Sequence, residues 1–195
     1  MHIYHNESYP RNTCDYNTVK GNRIHDNGAA GNRGPGIGLY SGTGNIAYNN
    51  LIWNNQEQGI IVDYGAYNTK IYNNTIYSNS SDGIRIGRGT ETEIKNNIVY
   101  NNTRGTISNS GTNTITSNNL TTNPGFVDAL NEDFHLQTGS SAIDAGTTLG
   151  DVIDDFDGKA RPQGSDYDIG AYEYGGDENR LDPPRRLVIL DEADQ

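Results

Sequence analysis

Cysteine is almost missing from this chain: Cys14 stands alone among 195 residues. That excludes a disulfide framework and a thiolate metal cluster, and Cys14 itself reads as a small buried hydrophobe. Long apolar runs are missing too, since nothing approaches the ~20 residues of a membrane-crossing helix. Apolar residues make up only 32%, low for a globule with a three-dimensional core but sufficient where each layer needs a few inward side chains. Positive charge is scarce: fourteen Lys and Arg face twenty-five Asp and Glu, a net charge of −11. With no basic stripe to contact phosphates, nucleic acid is not an expected partner. His2, His5, His25 and His135 have no metal-ligand spacing. No Ser-His-Asp order with an elbow sequence occurs, and GNRGPG (31–36) is a bulge rather than a phosphate loop.

The acidity is unevenly placed. Residues 1–120 hold nine Lys and Arg against eight Asp and Glu, while residues 121–195 hold five against seventeen, so the two parts carry +1 and −12. A neutral body is followed by an acidic tail. A neutral polysaccharide, or a uronate held by a few local cations, is compatible with that body.

What the chain does have is asparagine, 26 residues, and glycine, 24. Both suit short strands joined by tight bends with positive φ. One pattern recurs five times: VKGNRI (19–24), AYNNLI (47–52), IYNNTI (71–76), IKNNIV (94–99) and ITSNNL (115–120). Aligned on Asn22, Asn50, Asn74, Asn97 and Asn118, the steps are 28, 24, 23 and 21 residues. A period of 20–30 residues built from β-type segments means a solenoid, each copy one coil. Coils stack about 4.8 Å apart. Equivalent asparagines then form a ladder, each side-chain amide donating to the next. A second column follows at Asn27, Asn55, Asn79 and Asn102, and then a glycine-led strand: GIGLY (36–40), GIIVDY (59–64), GIRIG (83–87) and GTIS (105–108). Alternation puts Ile37, Leu39, Ile60, Val62, Ile84 and Ile86 inside. It puts Gly38, Ile61, Arg85 and Ile107 in one outward row and Tyr40, Asp63 and Gly87 in the next.

The asparagine ladder, the G-I-x-I strands and the period resemble the right-handed parallel β-helix proteins of the pectate-lyase-like superfamily. The resemblance covers residues 1–123 and implies an all-β, right-handed parallel β-helix of about five coils. It implies little about activity, because that superfamily holds lyases, epimerases, hydrolases, esterases, adhesins and tailspikes. Residues 1–122 are expected to form the coils, 123–175 a β-rich cap over the last coil, and 176–195 a charged linker or tail. Ile3-Tyr4-His5-Asn6 matches the second half of a repeat, so the chain reads as the C-terminal part of a longer protein, with no signal peptide in this fragment. NPGFVD (123–128), DFHLQTGSSAIDAG (133–146), DFDGKARP (155–162) and DIGAYEY (168–174) resemble the C-terminal segment of secreted bacterial β-helix proteins of the choice-of-anchor Q type. That resemblance implies an extracellular or cell-surface location; a monomer is expected.

Two surfaces could carry chemistry. On the outer face of the G-I-x-I sheet, Tyr40, Asp63, Tyr64, Arg85 and Arg88 supply the cation, base and acid that elimination or C5-epimerisation of a uronan requires. The pectate-lyase calcium cluster, the DPHE pattern of mannuronan epimerases and the paired aspartates of polygalacturonases are not recognisable. The competing reading of these residues is a surface ion pair between Asp63 and Arg85. The other surface is a column of rings, Tyr4, His25, Trp53, Tyr77 and Tyr100, one per coil, which either binds sugar rings or stacks on itself. Asp155-Phe156-Asp157-Gly158 reads as a turn-forming acidic loop, with calcium as its alternative; no other cofactor is expected. Three functions remain open: a polysaccharide-engaging protein, a polysaccharide lyase or epimerase, and a structural or adhesive solenoid.

Overall fold

A computed structural model describes residues 2–3, 14–28 and 34–175. Tyr4 and the 176–195 tail therefore lie outside the described residues. After β1 (His2–Ile3) the chain winds through β2 (Thr18–Lys20), β3 (Arg23–His25) and β4 (Ile37–Leu39). The next coil holds β5 (Ile46–Tyr48), β6 (Leu51–Trp53) and β7 (Ile60–Val62), and the third β8 (Lys70–Tyr72), β9 (Thr75–Tyr77) and β10 (Asp82–Ile86). The fourth holds β11 (Glu93–Lys95), β12 (Ile98–Tyr100) and β13 (Gly105–Asn109), and β14 (Ile115–Ser117) opens a fifth. Strands pair in parallel with their equivalents one coil away, giving three sheets: β1-β4-β7-β10-β13, then β14-β11-β8-β5-β2, then β12-β9-β6-β3. Four complete coils and part of a fifth make up the parallel β-helix of about five coils that the repeat predicts.

Corners decide this shape. The second and third sheets each end in a residue with positive φ followed by an inward polar side chain. Between the second and third sheets the left-handed positions are Gly21, Asn49, Asn73, Asn96 and Asn118. Asparagine tolerates that conformation better than other residues with a Cβ. The residue that follows turns inward, and there the ladder runs. Asn50 donates from its backbone N and from Nδ2 to Asn74 Oδ1 at 3.0 and 2.9 Å, and Asn74 does the same to Asn97 at 3.0 Å each. Asn22 begins the series and Asn119 ends it. Asn118 is thus a correction: it sits in the left-handed corner, and its neighbour is the rung. The last repeat is displaced by one residue, with Thr116 opposite Ile94 and Ile115 left 54% exposed. The second column runs through Asn27, Asn55, Asn79 and Asn102 as expected. A third, missed in the sequence, starts with Asn17 and Asn45.

Inside these corners the apolar core is one residue deep per sheet face. Val19, Ala47, Ile71 and Ile94 line the second sheet, Ile24, Ile52, Ile76 and Val99 the third, and Ile37, Ile60, Ile84, Leu39, Val62 and Ile86 the first. Each buried Val, Leu or Ile contributes about 1.5–3 kcal/mol. Ile107 pairs with Ile84 and packs on this core, so Ser108, opposite Arg85, takes its expected place in the outward row. Beyond Ile107 two inward positions of the terminal strands are polar, Asn109 opposite Ile86 and Thr116 opposite Ile94.

Residues 123–175, expected as a cap over the last coil, make their contacts on the flanks of the second and third sheets. They lie along the side. β15 (Phe126–Asp128) and β16 (Asp133–Leu136) form an antiparallel hairpin whose Phe126, Phe134 and Leu136 pack with Leu51, Trp53 and Ile98 on the outer face of the third sheet. Leu149, Val152 and Tyr167 pack with Tyr72 on the second. The left-handed asparagines bind this segment rung by rung. Asn49 Nδ2 donates to Asp154 O (2.6 Å), Asn73 Nδ2 to Asp168 O (3.0 Å), Asn96 Nδ2 to Thr147 O (2.8 Å) and Asn118 Nδ2 to Ala145 O (3.0 Å). In the pairs Asn49-Asn50, Asn73-Asn74 and Asn96-Asn97 the first residue therefore donates to the C-terminal segment and the second to the next coil. Charge adds to the match, because Lys20 and Lys70 on the second sheet meet Asp154 and Asp151 at 2.8 and 2.7 Å.

Within the segment, Asp168 is buried and accepts backbone N–H bonds from Asp144 and Tyr174. Burial outweighs those bonds and pushes its carboxyl up to about 6. A carboxyl raised on folding contributes stability that is complete below the unfolded value near ~4 and is lost as pH rises through the folded one. The segment is thus expected to be held more weakly at pH 7 than at pH 5 by this group. A carbon-detected NMR titration should place the Asp168 midpoint near 6; a midpoint at or below ~4 would contradict the burial argument.

Candidate functional site

The exposed cluster on the outer face of the first sheet is assembled by the end of β7 and the turn after β10. Asp63 follows Val62 outward, and its Oδ1 accepts three donors: Tyr64 N at 2.7 Å, Arg88 N at 3.1 Å and Arg88 Nε at 2.9 Å. The ion pair of this face is therefore Asp63–Arg88, one coil apart, and not the Asp63–Arg85 pair that adjacent strands suggest. Arg85 stands opposite Ile61 and Ser108, on strands that offer it no carboxylate. Tyr64 takes a left-handed backbone (φ 53°), which turns its ring out to 64% exposure. The Arg88 guanidinium lies over that ring at 4.5 Å, and the Tyr40 ring meets it edge-on at 5.5 Å. Of the five residues expected here, Tyr40, Asp63, Tyr64 and Arg88 form one connected group, and Arg85 lies beside them on β10.

The electrostatics favour holding over proton transfer. Burial alone would raise the Asp63 carboxyl, but the Arg88 hydrogen bond and the backbone N–H donors outweigh it and hold the group below its ordinary range. A carboxylate so saturated is a weak base. Burial raises Tyr40, helped by Glu57 and by neighbouring Tyr64 and Asp63, so its phenol stays protonated. What the cluster presents to solvent is a cation stacked on an aromatic ring, with a second arginine alongside.

The ring column on the third sheet behaves differently from an exposed platform. Its side chains do point away from the core, but the C-terminal segment lies over them. Trp53 is 2% exposed, with Phe134 at 5.3 Å on one side and the His25 ring stacked at 4.2 Å on the other. Tyr77 is held by Phe126 and Phe134 at 5.8 and 5.7 Å, and Tyr100 tilts against Tyr77 at 6.1 Å. These rings are partners of the segment, and among the described members of the column His25 alone is exposed.

The acidic loop is also committed to structure. Asp155 is buried and accepts from Lys159 N (2.8 Å) and Glu173 N (2.9 Å), while Asp157 faces His135 Nε2 at 2.9 Å. The two carboxylates are turned to different partners and do not converge. Among the described residues no three His, Cys, Asp or Glu side chains gather as metal ligands.

With this geometry in place, comparison with known proteins adds the following. A family model described as "Right handed beta helix region" matches residues 3–121. The crystal structure of pectate lyase Pel9A superimposes with a TM-score of 0.42 at 17% identity, over 84% of this chain and 62% of that one. The chain thus spans under two thirds of that enzyme's length. No curated protein matches the sequence.

Proposed function

This chain belongs to the right-handed β-helix family, and from that premise we propose that it is a secreted or cell-surface protein that engages polysaccharide through the outer face of its first sheet. One observation carries the reading. The C-terminal segment packs on the outer faces of the second and third sheets, and none of its apolar clusters or hydrogen bonds among the described residues reaches the first. The face left open is the one with the Tyr64 ring, Arg88 and Arg85.

An exposed aromatic ring suits the C–H faces of a sugar, and the neighbouring guanidinium groups suit its hydroxyls or a uronate carboxylate. The lyase or epimerase reading is less well supported on this face, because elimination needs a base at C5 and Asp63 is already neutralised by three donors. The C-terminal segment's likeness to choice-of-anchor Q sequences supports the proposed location.

Affinity electrophoresis against alginate, pectate and neutral glucans tests the proposal. Tyr64→Ala is expected to weaken retardation about tenfold, equivalent to ~1.4 kcal/mol. Arg85→Ala should weaken it on the uronans more than on the glucans. Equal mobility of wild type and both variants in every gel would remove the reading. An unsaturated uronide among the products would restore the lyase alternative.

A further inference from the structure

We infer that Asp63 is a positioning residue, whose single carboxylate oxygen fixes the Tyr64 ring and the Arg88 side chain as one rigid shelf for ligand. This rests on the polysaccharide reading of the same face. The geometry is specific. Oδ1 bonds the backbone of Tyr64 in its own coil and both the backbone and Nε of Arg88 in the next. Tyr64 follows Asp63 directly, and its left-handed backbone is tied down by the shortest of those bonds. Arg88 then has its guanidinium placed over the Tyr64 ring by the same oxygen. Without this tie, both side chains would be free: Tyr64 and Arg88 are 64% and 67% exposed, and an exposed arginine carries rotamer entropy that a ligand would otherwise have to remove.

A glycine supplies the room. Gly87 occupies the row of Tyr40 and Asp63, and a Cβ placed on it would stand 2.8 Å from the Asp63 carboxyl carbon. The Gly87 backbone has no positive φ, so the first obstruction an alanine there would meet is the Asp63 carboxylate, which it would displace.

The proposal is tested on the whole chain with three variants. In the wild type, the Arg88 Nε–H signal should be resolved and protected from solvent exchange in nitrogen-15 NMR spectra. Asp63→Asn, which keeps size and loses charge, should abolish that protection. Gly87→Ala, which changes no charge, should abolish it equally by displacing the carboxylate. Uronan retardation should fall about tenfold in each variant, and the double variant should fall no further, since both act through one contact. An unprotected Arg88 Nε–H in the wild type, or full protection in Gly87→Ala, overturns the inference. These NMR outcomes stand apart from the glycan reading, which Tyr64→Ala judges on its own.

Discussion

Replacing Arg161 with alanine is expected to destabilise the protein by about 3–5 kcal/mol, the cost of leaving a buried partner charge unpaired. Arg161 and Glu173 have no exposed side-chain surface, and they pair directly. Every donor of the guanidinium is used. Nε reaches Asp154 O (3.1 Å), Nη1 reaches Asp168 O (3.1 Å) as well as Glu173, and Nη2 reaches Gly170 O (2.9 Å) and Asn49 Oδ1 (3.4 Å). Glu173 in turn accepts the backbone N–H groups of Gln163 and Asp168. One side chain thus joins three stretches of the C-terminal segment to a corner of the second coil. Its loss should release the segment while the coils keep their ladders. The signature is a red shift of Trp53 emission, because the cover that buries that ring is gone, together with new protease cleavage confined to residues 123–175. Arg161→Met with Glu173→Met should recover much of the loss, since an apolar pair of similar volume removes the unpaired charge. A melting curve for Arg161→Ala within about 1 kcal/mol of wild type would mean that the hairpin's apolar contacts suffice to hold the segment.

The fold was open to reading in the sequence because the repeat acts locally. Ile71, Ile76 and Asn74 occupy the same places in every coil, and period and alternation placed them inward without tertiary information. The last coil was misaligned for the same local reason. In ITSNNL, Asn118 or Asn119 could each be the rung, and only the pairing of Thr116 with Ile94 decides. The position of the C-terminal segment was harder. Alternation tells which side of a sheet Trp53 faces; it does not tell whether a second piece of chain lies there. Two signals were available. The outward column of Lys20 and Lys95, with Lys70 beside it, complements a tail of net −12, and the repeated Asn-Asn pair has one asparagine more than a ladder needs. In the candidate site the residue types were right and one pairing was wrong. Neighbouring strands suggested Arg85 for Asp63, whereas the bend after β10 brings Arg88 back over the carboxylate.

That spare asparagine leads to the second large effect. Asn73 and Asn74 are adjacent and both fully buried, yet their loss should differ in kind. Asn74→Ala removes the acceptor of Asn50 N and Nδ2, the donor to Asn97 Oδ1 and the donor to Ala47 O. Four buried groups lose a partner in the middle of the solenoid. Some retain a second bond, as Asn50 Nδ2 does to Val19 O, so the penalties of about 1–3 kcal/mol per orphaned group do not simply add. A loss of about 3–5 kcal/mol is expected, with the coils themselves unfolding. Asn74→Asp should be at least as damaging, since a carboxylate facing Asn97 Oδ1 replaces a donor by a charge. Asn73→Ala instead removes the donor to Asp168 O and Gly170 O, both in the C-terminal segment, and one long coil-to-coil acceptor, that of Asn96 Nδ2 at 3.3 Å, which keeps its shorter bond to Thr147 O. It should cost about 1–2 kcal/mol, raise hydrogen exchange in residues 144–172 and leave the coil amides protected. Hydrogen exchange read coil by coil separates the two cases. If Asn73→Ala opened the coils, or Asn74→Ala opened only the segment, the division of labour within the Asn-Asn pair would be wrong, because each residue's effect should follow the direction in which its amide points.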